Sequence, residues 1–263
     1  MADFATGGGL KIAYDIAGSG APLLLIGGLS ADRPFWGLAR PHLSAFRTLA
    51  FDNRDVGASD RATGPYTPAD MARDALAVMD AAGIARAHVL GHSLGGVIAQ
   101  ELALLAPERV DRLVLACAFA RCDLYVRELI RLLKRLRTEL ADPETYVAAL
   151  ATFTLGRTFL EANSLCDIAR ATVGLGTLQE VAAFNRQADA SLLTDTLGRL
   201  GGITAPTLVI STLDDRFFAD PFAQEMAAAI PGAVKRDMPG IGHCPMIEAP
   251  SAFAALVRDF LAA

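Results

Sequence analysis

Short apolar runs alternate with amphipathic runs along most of this chain, and that alternation predicts a layered α/β architecture. Residues 10–17 and 22–26 read as strands around Gly18-Ser19-Gly20, which predicts an opening antiparallel pair. A helix is expected over 35–43 and a strand over 48–51. The rhythm continues with a helix over 69–82, a strand over 87–91, a helix over 94–106 and a strand over 112–118. It breaks after Ala118. From 119 to 200 the pattern is mostly helical and contains no buried-strand run. Strand, helix, strand and helix resume over 207–211, 219–230, 233–238 and 251–261. The expected organisation is a core built from 1–118 and 201–263, with a mostly parallel sheet flanked by helices. Residues 119–200 are expected to form a helical cap within that single domain, its apolar faces turned inward.

One junction in this rhythm carries chemistry. The strand-like Ala87-His88-Val89-Leu90 runs into Gly91-His92-Ser93-Leu94-Gly95-Gly96, and a helical pattern follows. Strand, Gly-x-Ser-x-Gly, helix is the pattern of a nucleophile elbow. The serine takes a strained backbone conformation, and glycines two before and two after it remove side chains that would collide there.

A serine hydroxyl is a weak nucleophile and needs a base. Of the four histidines, His88 reads as a packed strand residue and His42 as a surface or capping residue. His92 sits beside Ser93, with its side chain expected to point away from the hydroxyl. His243 stands in the glycine- and proline-rich loop Pro239-Gly240-Ile241-Gly242-His243-Cys244-Pro245, between a strand and the closing helix, and is the candidate base. The base needs an acid to orient it. Asp214 and Asp215 follow the buried-strand pattern Thr207-Leu208-Val209-Ile210-Ser211, where sites form in open α/β sheets. Asp215 is the preferred acid, Asp214 a turn or capping residue, and Asp123 a less favoured substitute.

The order Ser93, Asp215, His243 is that of the α/β-hydrolases, and other stretches agree. Leu23-Leu24-Leu25-Ile26-Gly27-Gly28-Leu29 resembles the family's strand that ends in the oxyanion loop, with Gly27-Gly28 where members often carry His-Gly. Asp52-Asn53-Arg54-Asp55-Val56-Gly57-Ala58-Ser59 resembles the family's D-x-R-x-x-G-x-S turn, and Pro65-Tyr66-Thr67 followed by a helix also matches. The chain resembles the family over nearly its whole length, and small bacterial esterases and 3-oxoadipate enol-lactonases look nearest. The resemblance implies a serine hydrolase of small carboxylic esters or lactones, with backbone N–H groups of Leu29 and Leu94 holding the oxyanion. Carbon–carbon bond hydrolysis or cofactor-free perhydrolysis in the same site, and ligand sensing with little turnover, are the alternatives. Aspartate-nucleophile chemistry is disfavoured, because Ser93 occupies the elbow.

Composition changes this picture little. A chain of 263 residues, 52% hydrophobic, can bury one large core. The net charge of −5 and the lack of a dominant basic face argue against a nucleic-acid partner. No apolar run approaches the roughly 20 residues of a membrane span, and the first residues lack a signal-peptide pattern. The cysteines, Cys117, Cys122, Cys166 and Cys244, lack metal-site spacing and read as reduced thiols, so a cytoplasmic enzyme without metal or organic cofactor is expected. The one pronounced charge run, Arg127, Arg131, Lys134, Arg135 and Arg137, reads as the solvated face of an amphipathic cap helix rather than as a substrate-steering patch.

Overall fold

The computed structural model describes residues 2–175 and 178–263, so Met1 and, within the 119–200 segment, Gly176 and Thr177 lie outside the described residues. The strands are β1 (Asp3–Gly7), β2 (Leu10–Ala17), β3 (Pro22–Ile26), β4 (Arg47–Phe51), β5 (Ala87–His92), β6 (Val110–Ala116), β7 (Thr207–Thr212) and β8 (Val234–Met238). They form one sheet in the order β1-β2-β4-β3-β5-β6-β7-β8. β2 is antiparallel to β1 and β4, and every ladder from β4 to β8 is parallel.

The opening of the sheet differs from the sequence expectation. β2 and β3 do not pair; β4 lies between them, and the antiparallel partner of β2 is the unanticipated β1. Gly18 and Gly20, both with positive φ, do not close a hairpin. They pass so close to the Ala45 and Phe46 carbonyls that a Cβ at either would strike backbone. The link therefore steps over the entry to β4 instead of turning back. The helix expected over 35–43 is likewise two short 3-10 turns, Arg33–Trp36 and Arg40–Leu43. Pro41, inside the second turn, lacks the N–H a continuous helix needs and would crowd the preceding turn.

Parallel strands covered on both faces read as unbroken apolar runs, and alternation divides them here. Leu24, Ile26, Val89 and Leu115 face one buried cluster, with Met71 and Val78 of α1 (Pro68–Ala81) and Ile98 and Leu102 of α2 (Leu94–Leu105). Leu23, Leu25, Leu90 and Val114 face the other, with Trp36 and Phe253. Helices α3 (Leu124–Glu139), α4 (Pro143–Thr154), α5 (Arg157–Ala162), α6 (Leu165–Gly174) and α7 (Val181–Ser191) lie between β6 and β7 in the chain. Val126, Ile130 and Leu133 of α3 and Phe184 and Ala188 of α7 join the first cluster, and Ala151 of α4 joins the second. After β7 follow α8 (Asp220–Ala229), β8, the short α9 (Pro245–Glu248) and α10 (Pro250–Ala262).

On the polar side of α3, Arg131 pairs with Glu128, Arg135 with Glu139 and Lys134 with Asp189 of α7. Arg137 binds the Gln179 carbonyl and lies over the Tyr146 ring. These cations serve the helix surface. Among the described residues no helix is long and apolar enough to cross a membrane.

Candidate active site

Ser93 stands between the last residue of β5 and the first of α2, with φ 57° and ψ −124°. Glycine spacing makes this turn possible. A Cβ at Gly91 would run into the Gly95 carbonyl, and one at Gly95 into the Ile26 carbonyl at the end of β3. Strain of this kind costs about 1–3 kcal/mol and is sustained by the surrounding packing. The Ser93 N–H anchors the turn on the Ala116 carbonyl of β6, 3.0 Å away.

β7 delivers the acid and the loop after β8 delivers the base. His243 Nδ1–H donates to Asp215 Oδ2 at 2.8 Å, and both side chains are buried. The other carboxylate oxygen accepts the Phe217 and Phe218 amides at 2.7 and 3.0 Å. Burial pushes the Asp215 carboxyl up, but the neighbouring His243 and these hydrogen bonds outweigh it and hold it below the usual carboxylate range. With Nδ1 donating, His243 keeps its Nε2 lone pair. The Phe217 and Phe218 rings flank the imidazole at 5.0 and 5.5 Å between centres.

The remaining sequence candidates stand elsewhere. Asp214 uses its amide to bind the Ile241 carbonyl, and Asp123 caps α3 by accepting the Val126 amide. His88 packs edge-on against Phe46, and His42 is exposed. Leu29 follows the Gly27-Gly28 turn after β3, so close to the elbow that a Cβ on Gly28 would meet Ser93 Cβ at 2.9 Å. Leu94 is the first residue of α2, where an amide has no intrahelical acceptor. Among the described residues neither the Leu29 nor the Leu94 N–H donates to a protein backbone carbonyl, while the neighbouring Ser30 and Ala31 amides are both engaged.

Comparison with known proteins agrees with this fold. Residues 23–256 match the model of the alpha/beta hydrolase family. The chain belongs to that family. It is 31% identical to a protein of Azorhizobium caulinodans named carbamate hydrolase RutD, over 98% of this chain and 97% of that one. It is 30% identical to a Mycobacterium tuberculosis protein named non-heme bromoperoxidase BpoC, over 96% and 98% of the two chains. Among solved structures, the enol-lactonase of Burkholderia xenovorans LB400 superposes with a TM-score of 0.87 at 26% identity, covering 99% of this chain and 100% of that one.

Two supports of this arrangement escaped sequence reading. His92 lies against His243, and its Nε2–H donates to the His243 carbonyl at 2.7 Å. Burial first, and the adjacent His243 second, push the His92 pKa down to about 3, so the ring is neutral. Glu248 of α9 accepts the amides of Gly156, Gly242 and Cys244, at 2.8, 3.0 and 3.2 Å, and so ties the histidine loop to the α4–α5 junction. Neither role has a local signature, because each depends on chain segments meeting from a distance.

His92, Cys117 and His243 bring donor atoms within 4.8 Å of one another. His243 Nδ1 is committed to Asp215 and His92 Nε2 to a carbonyl, while burial pushes the Cys117 thiol up and keeps it protonated. The Cys244 thiol is also buried and pushed up, as suits a packing residue. A cavity of about 380 Å³ opens beside the acid loop, lined by Leu129, Leu132, Leu133, Phe153, Arg216 and Phe217. Phe217 is thus shared between the cavity wall and the surroundings of His243.

Proposed function

We propose that this alpha/beta hydrolase cleaves small carboxylic esters or lactones through an acyl-enzyme on Ser93. The observation that carries the reading is the buried Asp215–His243 contact of 2.8 Å, beyond the C-terminal ends of the parallel strands, where the strained Ser93 also stands. His243 Nε2 takes the hydroxyl proton as Ser93 Oγ attacks the carbonyl carbon. Asp215 fixes the tautomer and stabilises the imidazolium. The Leu29 and Leu94 amides receive the oxyanion; one such donor is worth about 10²–10³ in rate. His243 then protonates the leaving alkoxide, and water deprotonated by the same nitrogen releases the acid. In a lactone the leaving group stays attached, and one hydroxy acid results.

The relatives named carbamate hydrolase and enol-lactonase are consistent with attack on an acyl carbonyl. Residues 119–200 act in this reading as a lid, excluding water from the acyl-enzyme and shaping the acyl pocket. The test is steady turnover of p-nitrophenyl acetate and butyrate by the wild type and by Ser93→Ala. Loss on the order of 10⁶ is expected for the variant. Turnover within about tenfold of wild type would remove the nucleophile assignment.

A further inference from the structure

Ser30, next to Leu29, has a φ of 64°, a region that side-chain-bearing residues seldom occupy. Its conformation is held from far along the chain. The Ser30 N–H donates to Gln187 Oε1 at 3.0 Å, across 157 positions of sequence, and Ser30 Oγ donates to Gln179 Oε1 at 2.5 Å. Gln179 Nε2 in turn donates to Gln187 Oε1 at 3.2 Å and to the Asp55 carbonyl at 3.0 Å. Gln187 belongs to α7 and is fully buried. The adjacent Arg186 grips the buried Asp55 carboxylate with two hydrogen bonds, at 2.5 and 3.0 Å, fastening α7 to the turn after β4.

The direction of the Gln187 amide is dictated by this loop. Rotated half a turn, it would set an NH2 against two other donors, the Ser30 N–H and the Gln179 NH2. In the direction it takes, its own Nε2 has no hydrogen-bond partner among the described residues.

We propose that Gln187 is a positioning residue for the oxyanion site. Its carboxamide oxygen fixes the peptide that follows Leu29, and so aims the Leu29 N–H at the developing oxyanion. The inference rests on the reading of Ser93 as the nucleophile. It gives the 119–200 insertion a second task, since α7 completes the site as well as covering it. The Ser30 amide, being engaged, is not itself an oxyanion donor.

The test is Gln187→Leu, which keeps the side-chain bulk and removes the acceptor, beside Gln187→Glu, which retains an acceptor. A p-nitrophenyl ester gives kcat and KM. Phenylboronic acid, which adds to the serine oxygen and places an oxygen in the oxyanion site, reports on that site separately. Gln187→Leu should lower kcat about 10–100-fold with KM little changed, the range for a misplaced donor. Boronate affinity should fall by a similar factor, and Gln187→Glu should recover most of both. If the leucine variant does not fold, Gln187→Met, unbranched and adaptable, carries the same expectation. Unchanged kcat and boronate affinity in a folded acceptor-less variant overturns the proposal. So does a fall in kcat with boronate affinity intact, which marks a structural role. Ser93→Ala is the control: if it still turns over, the nucleophile reading fails, whereas an inactive Ser93→Ala beside a normal Gln187→Leu removes only the Gln187 assignment.

Discussion

The imidazole of His92 lies 4.7 Å from that of His243, centre to centre, and donates its one N–H to the His243 backbone carbonyl. The residue beside Ser93 therefore buttresses the candidate base. Protonating His92 would keep that bond but place a buried charge beside His243. His92 is pushed from the ordinary 6.5 to about 3, chiefly by burial. An unfolded chain takes up a proton near pH 6.5 that the folded chain refuses until about pH 3. The stabilisation is thus complete above 6.5 and is lost progressively as pH falls through that window, by a few kcal/mol at most. Asp215, held low, acts in the same direction at the acid end. Melting temperatures of wild type and His92→Leu at pH 7 and pH 4.5 check this. The variant should lose less stability on acidification, and equal losses would remove His92 as the source.

Asp215→Asn should fold and lose about 10⁴ in kcat, because an amide no longer favours the tautomer that leaves Nε2 basic. Asp214→Asn should stay near wild type, since His243 Nδ1 bonds to Asp215. Esterase kinetics on the two variants decide between the adjacent acids. A larger loss in the Asp214 variant would reverse the assignment.

The apolar runs of β5 and β7 have readable ends, followed by Ser93 and Asp215, while His243 stands in the glycine- and proline-rich loop after the more polar β8. That is why the contact between Asp215 and His243 could be anticipated from residues alone. The opening of the sheet was not, because nothing local in 10–26 records that β4, twenty residues later, inserts between β2 and β3. Gly18 and Gly20 signal a special backbone, but a step across a strand and a hairpin use the same residue. Glu248, Gln179 and Gln187 were illegible for a related reason. Each is an ordinary polar residue on or beside a helix, and only tertiary approach brings Glu248 and Gln187 to backbone amides and Gln179 to the Ser30 hydroxyl.

Ser93→Gly separates strain from chemistry. Glycine adopts φ 57° without a Cβ collision, so the variant should be more stable than wild type by about 1 kcal/mol, discounted for its freer unfolded chain. Tm should rise by roughly 2–4 °C while ester turnover disappears. Thermal melts check it; a lowered Tm would mean that the serine side chain contributes more packing than the backbone stores in strain.

Glu248→Ala removes one acceptor from three amides at once. Those amides then depend on water, and the His243 loop loses its tie to Gly156. A stability loss of about 1–3 kcal/mol is expected. A kcat reduction of about tenfold, for a loosened base, should accompany it. Denaturant unfolding and ester kinetics on the same preparation test both. A loss of stability with full kcat would show that the loop keeps its geometry without the carboxylate.

The cavity beside Phe217 offers a direct probe of acyl length. Leu132 lines it and is 44% exposed, so a tryptophan there can enter the cavity without displacing the buried core. If acyl chains run from Ser93 past Phe217 into this space, Leu132→Trp shortens what the site accepts. For p-nitrophenyl acetate kcat/KM should hardly change, because a two-carbon acyl group ends before the cavity. For the octanoate it should fall about tenfold or more, the scale set by one to two methylenes denied burial. The ratio of the two esters cancels changes in folding or in the triad, which would lower both rates together. An unchanged ratio would place the acyl chain elsewhere and leave the cavity to the leaving group, a possibility that varying the alcohol at fixed acetyl then resolves.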